Sequence, residues 1–86
     1  MPEISRFFGI VIAIYYNDHA PPHFHAKYGG HRAKIEIATG IVIDGAMPRR
    51  ALGLIEEWRA LRRAELDLVW LSIASRQPHA KIEPLE

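Results

Sequence analysis

The chain contains no cysteine, which excludes a disulfide framework and any thiolate-ligated metal site. A small domain without such staples suits a reducing compartment, so a cytoplasmic location is expected. Long apolar runs are missing as well. No stretch approaches the roughly 20 residues that span a bilayer, so no membrane partner is expected. The opening Met1-Pro2-Glu3 is acidic rather than basic, and no small-residue cleavage site follows the apolar residues 7–16, which argues against a secretion signal. Nor is there much excess charge: 11 Lys and Arg against 10 Asp and Glu leave +1, a weak basis for indiscriminate binding to nucleic acid. The 86 residues suffice for one domain, expected over 1–86, that buries roughly 60–65% of its unfolded surface.

Histidine, by contrast, is concentrated. His19, His23 and His25 fall within the stretch 17–25, beside the pair Pro21-Pro22. Several imidazoles are thereby brought within reach of one ligand.

Periodicity assigns the surrounding elements. Residues 8–16 are short, β-branched and aromatic and end at the turn formers Asn17 and Asp18, so they read as a strand. Both faces of that strand are apolar, implying burial on both sides or a partner. Gly29-Gly30 is a favoured two-residue hairpin turn, since both positions accept positive φ. It sets Tyr28 opposite His31, Ala26 opposite Ala33 and Phe24 opposite Ile35 on an apolar face, with His25 opposite Lys34 and His23 opposite Glu36 on the polar one. Thr39-Gly40 makes a second turn into a short strand over 41–44, with Val42 facing Ile37.

From Pro48 the period lengthens. Ala51, Leu54, Ile55, Trp58 and Leu61 mark an amphipathic helix to about residue 63, in which Arg62 lies within the apolar arc and must snorkel or find an acceptor. A second helix, about 64–76, buries Leu66, Val69, Trp70 and Ile73. Leu68 and Leu71 project from its other side and, with the doubly apolar first strand, predict a homo-oligomer. Residues 78–86 read as an extended, partly mobile tail in which Lys81-Ile82-Glu83 can add an edge strand. The fold class is α+β: a meandering antiparallel sheet of about three to four strands (about 8–44), with two C-terminal helices (about 48–76) on one face. The histidine face is left open.

Residues two apart on a strand point the same way, about 6.5–7 Å apart, so His23 and His25 aim at a common point. Neutral imidazoles suit a divalent transition metal such as Zn, Ni or Cu, and a third ligand would come from His19, Asp18 or Glu36. Glu36 is alternatively a carboxylate that orients the His23 ring. A metal-free reading makes His23 and His25 an acid–base pair beside the Lys34 cation, as a ribonuclease-type reaction requires. The plainest reading is an inert polar sheet face. His31 falls on the opposite face, and His79 is too remote to assign.

Cations divide in the same way. Arg49, Arg50, Arg59, Arg62 and Arg63, with Lys27, Arg32 and Lys34, can follow a phosphate backbone or an acidic partner protein. Glu56 and Glu57 interrupt the helix face, and an ion-paired surface explains the same residues. Trp58 and Trp70, in phase with their helices, read as core.

The residues also carry a resemblance. The segment 2–9 (PEISRFFG), Tyr16-Asn17-Asp18-His19, Pro21-Pro22-His23-Phe24-His25-Ala26, Met47-Pro48-Arg49-Arg50, Glu57-Trp58, Glu65-Leu66 and Ile82-Glu83-Pro84-Leu85 resemble the bacterial family known as domain of unknown function 4160 (DUF4160). The similarity spans nearly the whole chain and is most distinctive over 18–25. It implies a small prokaryotic protein without an assigned reaction, often encoded beside another small protein in a toxin–antitoxin-like or regulatory pair. It highlights Asp18, His19, Pro21, Pro22, His23, Phe24 and His25. Two positions depart from the family pattern, which has His where this chain has Arg62 and Asn where it has Val69. Together these readings lead to a binding module whose partner is a neighbouring small protein or nucleic acid; the alternatives are a small nuclease and a purely structural interaction domain.

Overall fold

The computed structural model describes residues 3–86. Met1 and Pro2, which begin the acidic opening noted above, lie outside the described residues. Five strands, β1 (Glu3–Phe7), β2 (Ile10–Ala13), β3 (His23–Tyr28), β4 (His31–Glu36) and β5 (Val42–Ala46), are followed by α1 (Arg49–Leu61) and α2 (Arg63–Ala74). The sheet is an antiparallel meander in sequence order. The α+β class is as expected, but the strand number is corrected from about three or four to five.

The extra strand comes from a turn hidden in an apolar run. Phe8 and Gly9, expected to begin the first strand, instead turn the chain with φ of 49° and 80°. A β-bulge between Glu3 and Ser5 then lets Ile4 and Phe7, which have opposite parity, both enter the core. Ile10, Ile12 and Ile14 also point inward, while Val11, Ala13 and Tyr15 line the other face.

The hairpin read from Gly29-Gly30 is present with every pair in the expected register, from Tyr28 opposite His31 to His23 opposite Glu36. Gly29 takes φ of 57°, the left-handed conformation the turn demands. The following connection is longer than the sequence reading allowed. Val42 faces Ile35 rather than Ile37, with a register shift between Lys34 and Ile35. Gly45 sits against the backbone of Arg32 at φ of 81°, where a Cβ would collide with the Arg32 carbonyl oxygen.

Pro48 caps α1 from outside rather than opening its first turn, and its carbonyl accepts from the Leu52 N–H. Trp58 is fully buried, its ring 5.3 Å from Phe7 and 5.8 Å from Phe24, as the core reading required. From α2, Leu66, Val69 and Ile73 complete the core. Trp70 is only half-buried, which corrects its assignment as a plain core residue.

The last segment forms no strand, and it is anchored rather than loose. The Ile82 N–H donates to the Ile4 carbonyl at 2.7 Å, Ile82 is buried, and Trp58 Nε1 donates to the Glu83 carbonyl at 2.9 Å. No helix among the described residues is long and apolar enough to cross a membrane.

Arg59 links the layers. Its Nη1 donates to the Ile37 carbonyl at 2.8 Å, while Nε donates to Glu56 at 2.7 Å. The hydrogen bond from Arg59 holds the Glu56 carboxyl below the usual carboxylate range. A depressed folded-state pKa gives stability that is present above the unfolded value and lost as pH falls through the folded one. Glu56→Gln is therefore expected to destabilise at pH 7 and to match the parent in strong acid, as read by chemical denaturation. Because the Glu56 side chain is about half exposed (52%), the difference should stay within about 1 kcal/mol.

Candidate functional site

A turn at the end of β2 positions the first side chain of the site. The Asp18 N–H donates to the Tyr15 carbonyl at 3.2 Å, and the Asp18 carboxylate accepts from the Tyr15 N–H at 3.0 Å. This doubly tied loop turns the carboxylate toward the start of β3. Downstream, the Pro22 carbonyl accepts from the Ile37 N–H at 3.1 Å, fastening the proline pair beside β4.

His23 and His25 share the strand face opposite Phe24, with ring centroids 5.2 Å apart. Their Nε2 atoms lie 3.6 and 3.2 Å from Asp18 Oδ1. One ligand atom from each of Asp18, His23 and His25 falls within 4.8 Å of the others. This is the one such cluster of metal-ligating side chains among the described residues.

The two rings are held differently. His23 is 6% exposed, and its Nδ1–H donates to the Pro21 carbonyl at 2.8 Å. In the neutral ring, that bond places the lone pair on Nε2. Nε2 is buried without a hydrogen-bond partner, a condition that costs about 1–3 kcal/mol. His25 is half-buried, bonds both Asp18 oxygens at 3.2 Å through Nε2, and meets the Tyr15 ring edge-on at 4.5 Å.

The face is less open than expected at its first histidine. Trp70 from α2 lies 5.5 Å from the His23 ring, so the helical layer closes over that side chain while His25 faces the groove. Tyr15 and Trp70 are therefore parts of the site that sequence reasoning missed. Tyr15 sits just before the Asn17-Asp18 turn and so had a local signal; Trp70 had none, because its helix phase marks it as core.

Of the candidate third ligands, the structure brings Asp18 to the histidines. His19 is exposed and outside the ligand group. Glu36 is opposite His23 but accepts from the Thr39 hydroxyl, so the carbonyl of Pro21, not Glu36, orients the His23 ring. Lys34 lies opposite His25, on the wall of a groove of about 360 Å³ that runs along the sheet from His25.

Among the cations expected to follow a phosphate backbone, Arg59 is instead buried and committed to Glu56 and the Ile37 carbonyl, so it does not present its charge to a ligand. Arg63 donates to the Ala38 carbonyl and pairs with Asp67. Arg49 and Arg50 are exposed at the start of α1, apart from the groove-lining residues. Lys27 lines the groove. Arg62, the odd member of the helix wheel, lies between the two helices and reaches Glu65 at 3.4 Å, with a buried, unpartnered Nε. Val69 is a core residue. Neither position belongs to the Asp18–His23–His25 group.

Fold and site together define an α+β protein that carries two imidazoles and a carboxylate at the end of a sheet groove. The model for the domain of unknown function DUF4160 matches residues 9–70, and the chain belongs to that family. Comparison with curated proteins and with solved structures gives no match.

Proposed function

We propose that the protein is a metal-dependent binding module whose centre is Asp18, His23 and His25. The observation that carries this reading is the buried, unpartnered Nε2 of His23, set 3.6 Å from Asp18 Oδ1. Separations near 3.3 Å are those of ligand atoms that each stand about 2 Å from one zinc ion. The Nδ1–H bond to Pro21 supplies the outer contact by which ligating histidines are usually oriented. Two imidazoles and one carboxylate leave further coordination positions free, and zinc, nickel and copper all accept this donor set.

Direct measurement tests the centre. Untagged protein titrated calorimetrically with zinc is expected to take up one ion per chain, and Asp18→Asn or His25→Ala should weaken uptake by more than the roughly 10–100-fold typical of losing an outer contact. Equal uptake by these variants, or none by the parent, sinks the assignment.

The module reading extends to partners. Family resemblance supports a regulatory, toxin–antitoxin-like pairing with a neighbouring small protein in a bacterial cytoplasm. A second reading, hydrolysis by metal-activated water, is favoured by one observation: His25 opens onto a groove large enough for a small ligand.

Self-association is part of the proposal. Leu61, Leu68 and Leu71 are each more than 60% exposed, a concentration of apolar surface on the outer side of the helices. Light scattering is expected to show a homo-oligomer that Leu68→Glu with Leu71→Glu converts to monomer. A parent that is monomeric at high concentration refutes it.

A further inference from the structure

The sheet groove that opens from His25 carries an unusual charge arrangement. His25 and Lys34 are directly opposed across β3 and β4, and Lys27 and Arg32 are opposed one step further along the same face. These four positions form a rectangle of about 7 by 5 Å at the backbone. Like charges directly opposite each other destabilise a sheet. None of Lys27, Arg32 or Lys34 has a carboxylate within 4.0 Å among the described residues, although six ion pairs form elsewhere. Asp44, opposite Lys34 on β5, also lines the groove and accepts from the Gly45 N–H at 3.0 Å; its single negative charge offsets the three cations only in part. The fold thus retains an excess of cations over carboxylates in a groove of about 360 Å³.

Apart from Asp44, the rest of the groove is largely apolar. Val11 and Ala13 form its floor, and the edge of Tyr15, itself braced against His25, stands at one end. A cationic wall above an apolar floor with an aromatic end matches a ligand that joins an anion to a flat apolar ring. The volume lies within the range of small-molecule sites, which begins at about 300 Å³.

We infer that this groove receives one nucleotide unit, its phosphate held by Lys27, Arg32 and Lys34 and its base laid over Val11 and Ala13 beside Tyr15. The unit is either a free nucleotide or one link of a single strand. The inference names a ligand class for the groove that adjoins the proposed metal centre; it shares His25 with that centre, but the phosphate contacts do not depend on a bound ion. Cations lose affinity for phosphate as salt rises, whereas stacking of a base on apolar and aromatic surface is sequence-tolerant.

The test is calorimetric titration of the full chain with AMP, with inorganic phosphate and with a short unstructured oligonucleotide, each in chelator and in zinc. Lys34→Gln with Arg32→Gln is the groove variant, and Arg49→Gln with Arg50→Gln is the surface control. These side chains lie outside the core, and circular dichroism checks that each variant is folded. The expected result is binding of AMP or the oligonucleotide, at least tenfold stronger than inorganic phosphate, weakened at least tenfold by the groove variant and unchanged by the control. Preference for AMP identifies a free nucleotide as the source, and preference for the oligonucleotide identifies a strand. Absence of binding in both arms, equal loss in the control, or phosphate binding as well as AMP overturns the inference. If zinc fails to bind, the chelator arm still decides the groove; if zinc binds and no nucleotide does, the metal centre stands alone.

Discussion

Zinc supplied at a hundred times its dissociation constant is expected to raise the thermal midpoint of this protein by roughly 10–20 °C. The size follows from linkage: a ligand at that excess, bound by the folded chain alone, stabilises by about 2.7 kcal/mol, and each kcal/mol moves the midpoint of a domain this small by about 4–8 °C. Metal entry would also give His23 Nε2, which is buried without a partner, the contact it lacks, and would displace the proton between His25 and Asp18. Asp18→Asn is the informative variant. An amide oxygen can still accept the Tyr15 N–H that ties the loop, so the variant should fold with a metal-free midpoint lowered only by its weakened contact with His25, yet the amide is a poor ligand and the zinc response should vanish. Differential scanning calorimetry with and without chelator reads both quantities. An undiminished zinc response in Asp18→Asn would show that the ion binds elsewhere.

Replacing Trp58 has a larger effect on the fold itself. Its indole is fully buried between Phe7 and Phe24, joining β1, β3 and α1. Trp58→Ala should cost about 3–5 kcal/mol through lost burial and the void left behind, a large part of the 5–15 kcal/mol that holds a typical domain together. The midpoint should fall by more than about 12 °C. Trp58→Phe separates packing from hydrogen bonding: it keeps most of the ring volume but removes the Nε1 donor to the Glu83 carbonyl. Hydrogen exchange at the Ile82 amide, which donates to Ile4, should then accelerate well before global stability falls. Exchange that tracks global unfolding in this variant would show that the tail is held without Trp58.

The parts of this fold legible in the sequence are those decided by near neighbours. Gly29-Gly30 determines a two-residue loop, and period-two alternation then dictates every pair from Tyr28–His31 to His23–Glu36. The helices were legible for the same reason, since Ala51, Ile55 and Trp58 repeat at the helical period and are buried together. Features set by distant contacts were not. Phe8 takes a positive φ of 49°, which a bulky residue rarely does, so Gly9 was the single compositional sign of the β1–β2 turn, and inside an apolar run it did not reveal the strand Glu3–Phe7. Arg59 reads as a surface cation until the Ile37 carbonyl, 22 positions away, is known to accept from it.

The site divides along the same line. That His23 and His25 share a face followed from their spacing, and Asp18 was among the third-ligand candidates. The choice among Asp18, His19 and Glu36 depended on how the loop 15–22 folds back: the Tyr15 turn brings Asp18 inward, His19 stays in solvent, and Thr39 engages Glu36. The closure of Trp70 over His23 depends on where α2 lies against the sheet, which helix phase alone does not specify.

The docking of Ile82 on Ile4 leaves the sheet with two unequal borders. On the β1 side, a terminal segment of the same chain shields the outermost backbone, with Ile82 buried against it. On the β5 side, the short strand Val42–Ala46 ends in the kinked Gly45, and its flanking Ile41 is 61% exposed. Unpaired strand backbone is a template for foreign chains. The docked Ile82 therefore shields the β1 border, and the border left open to an added strand is β5, whose Asp44 and Gly45 line the groove that holds His25.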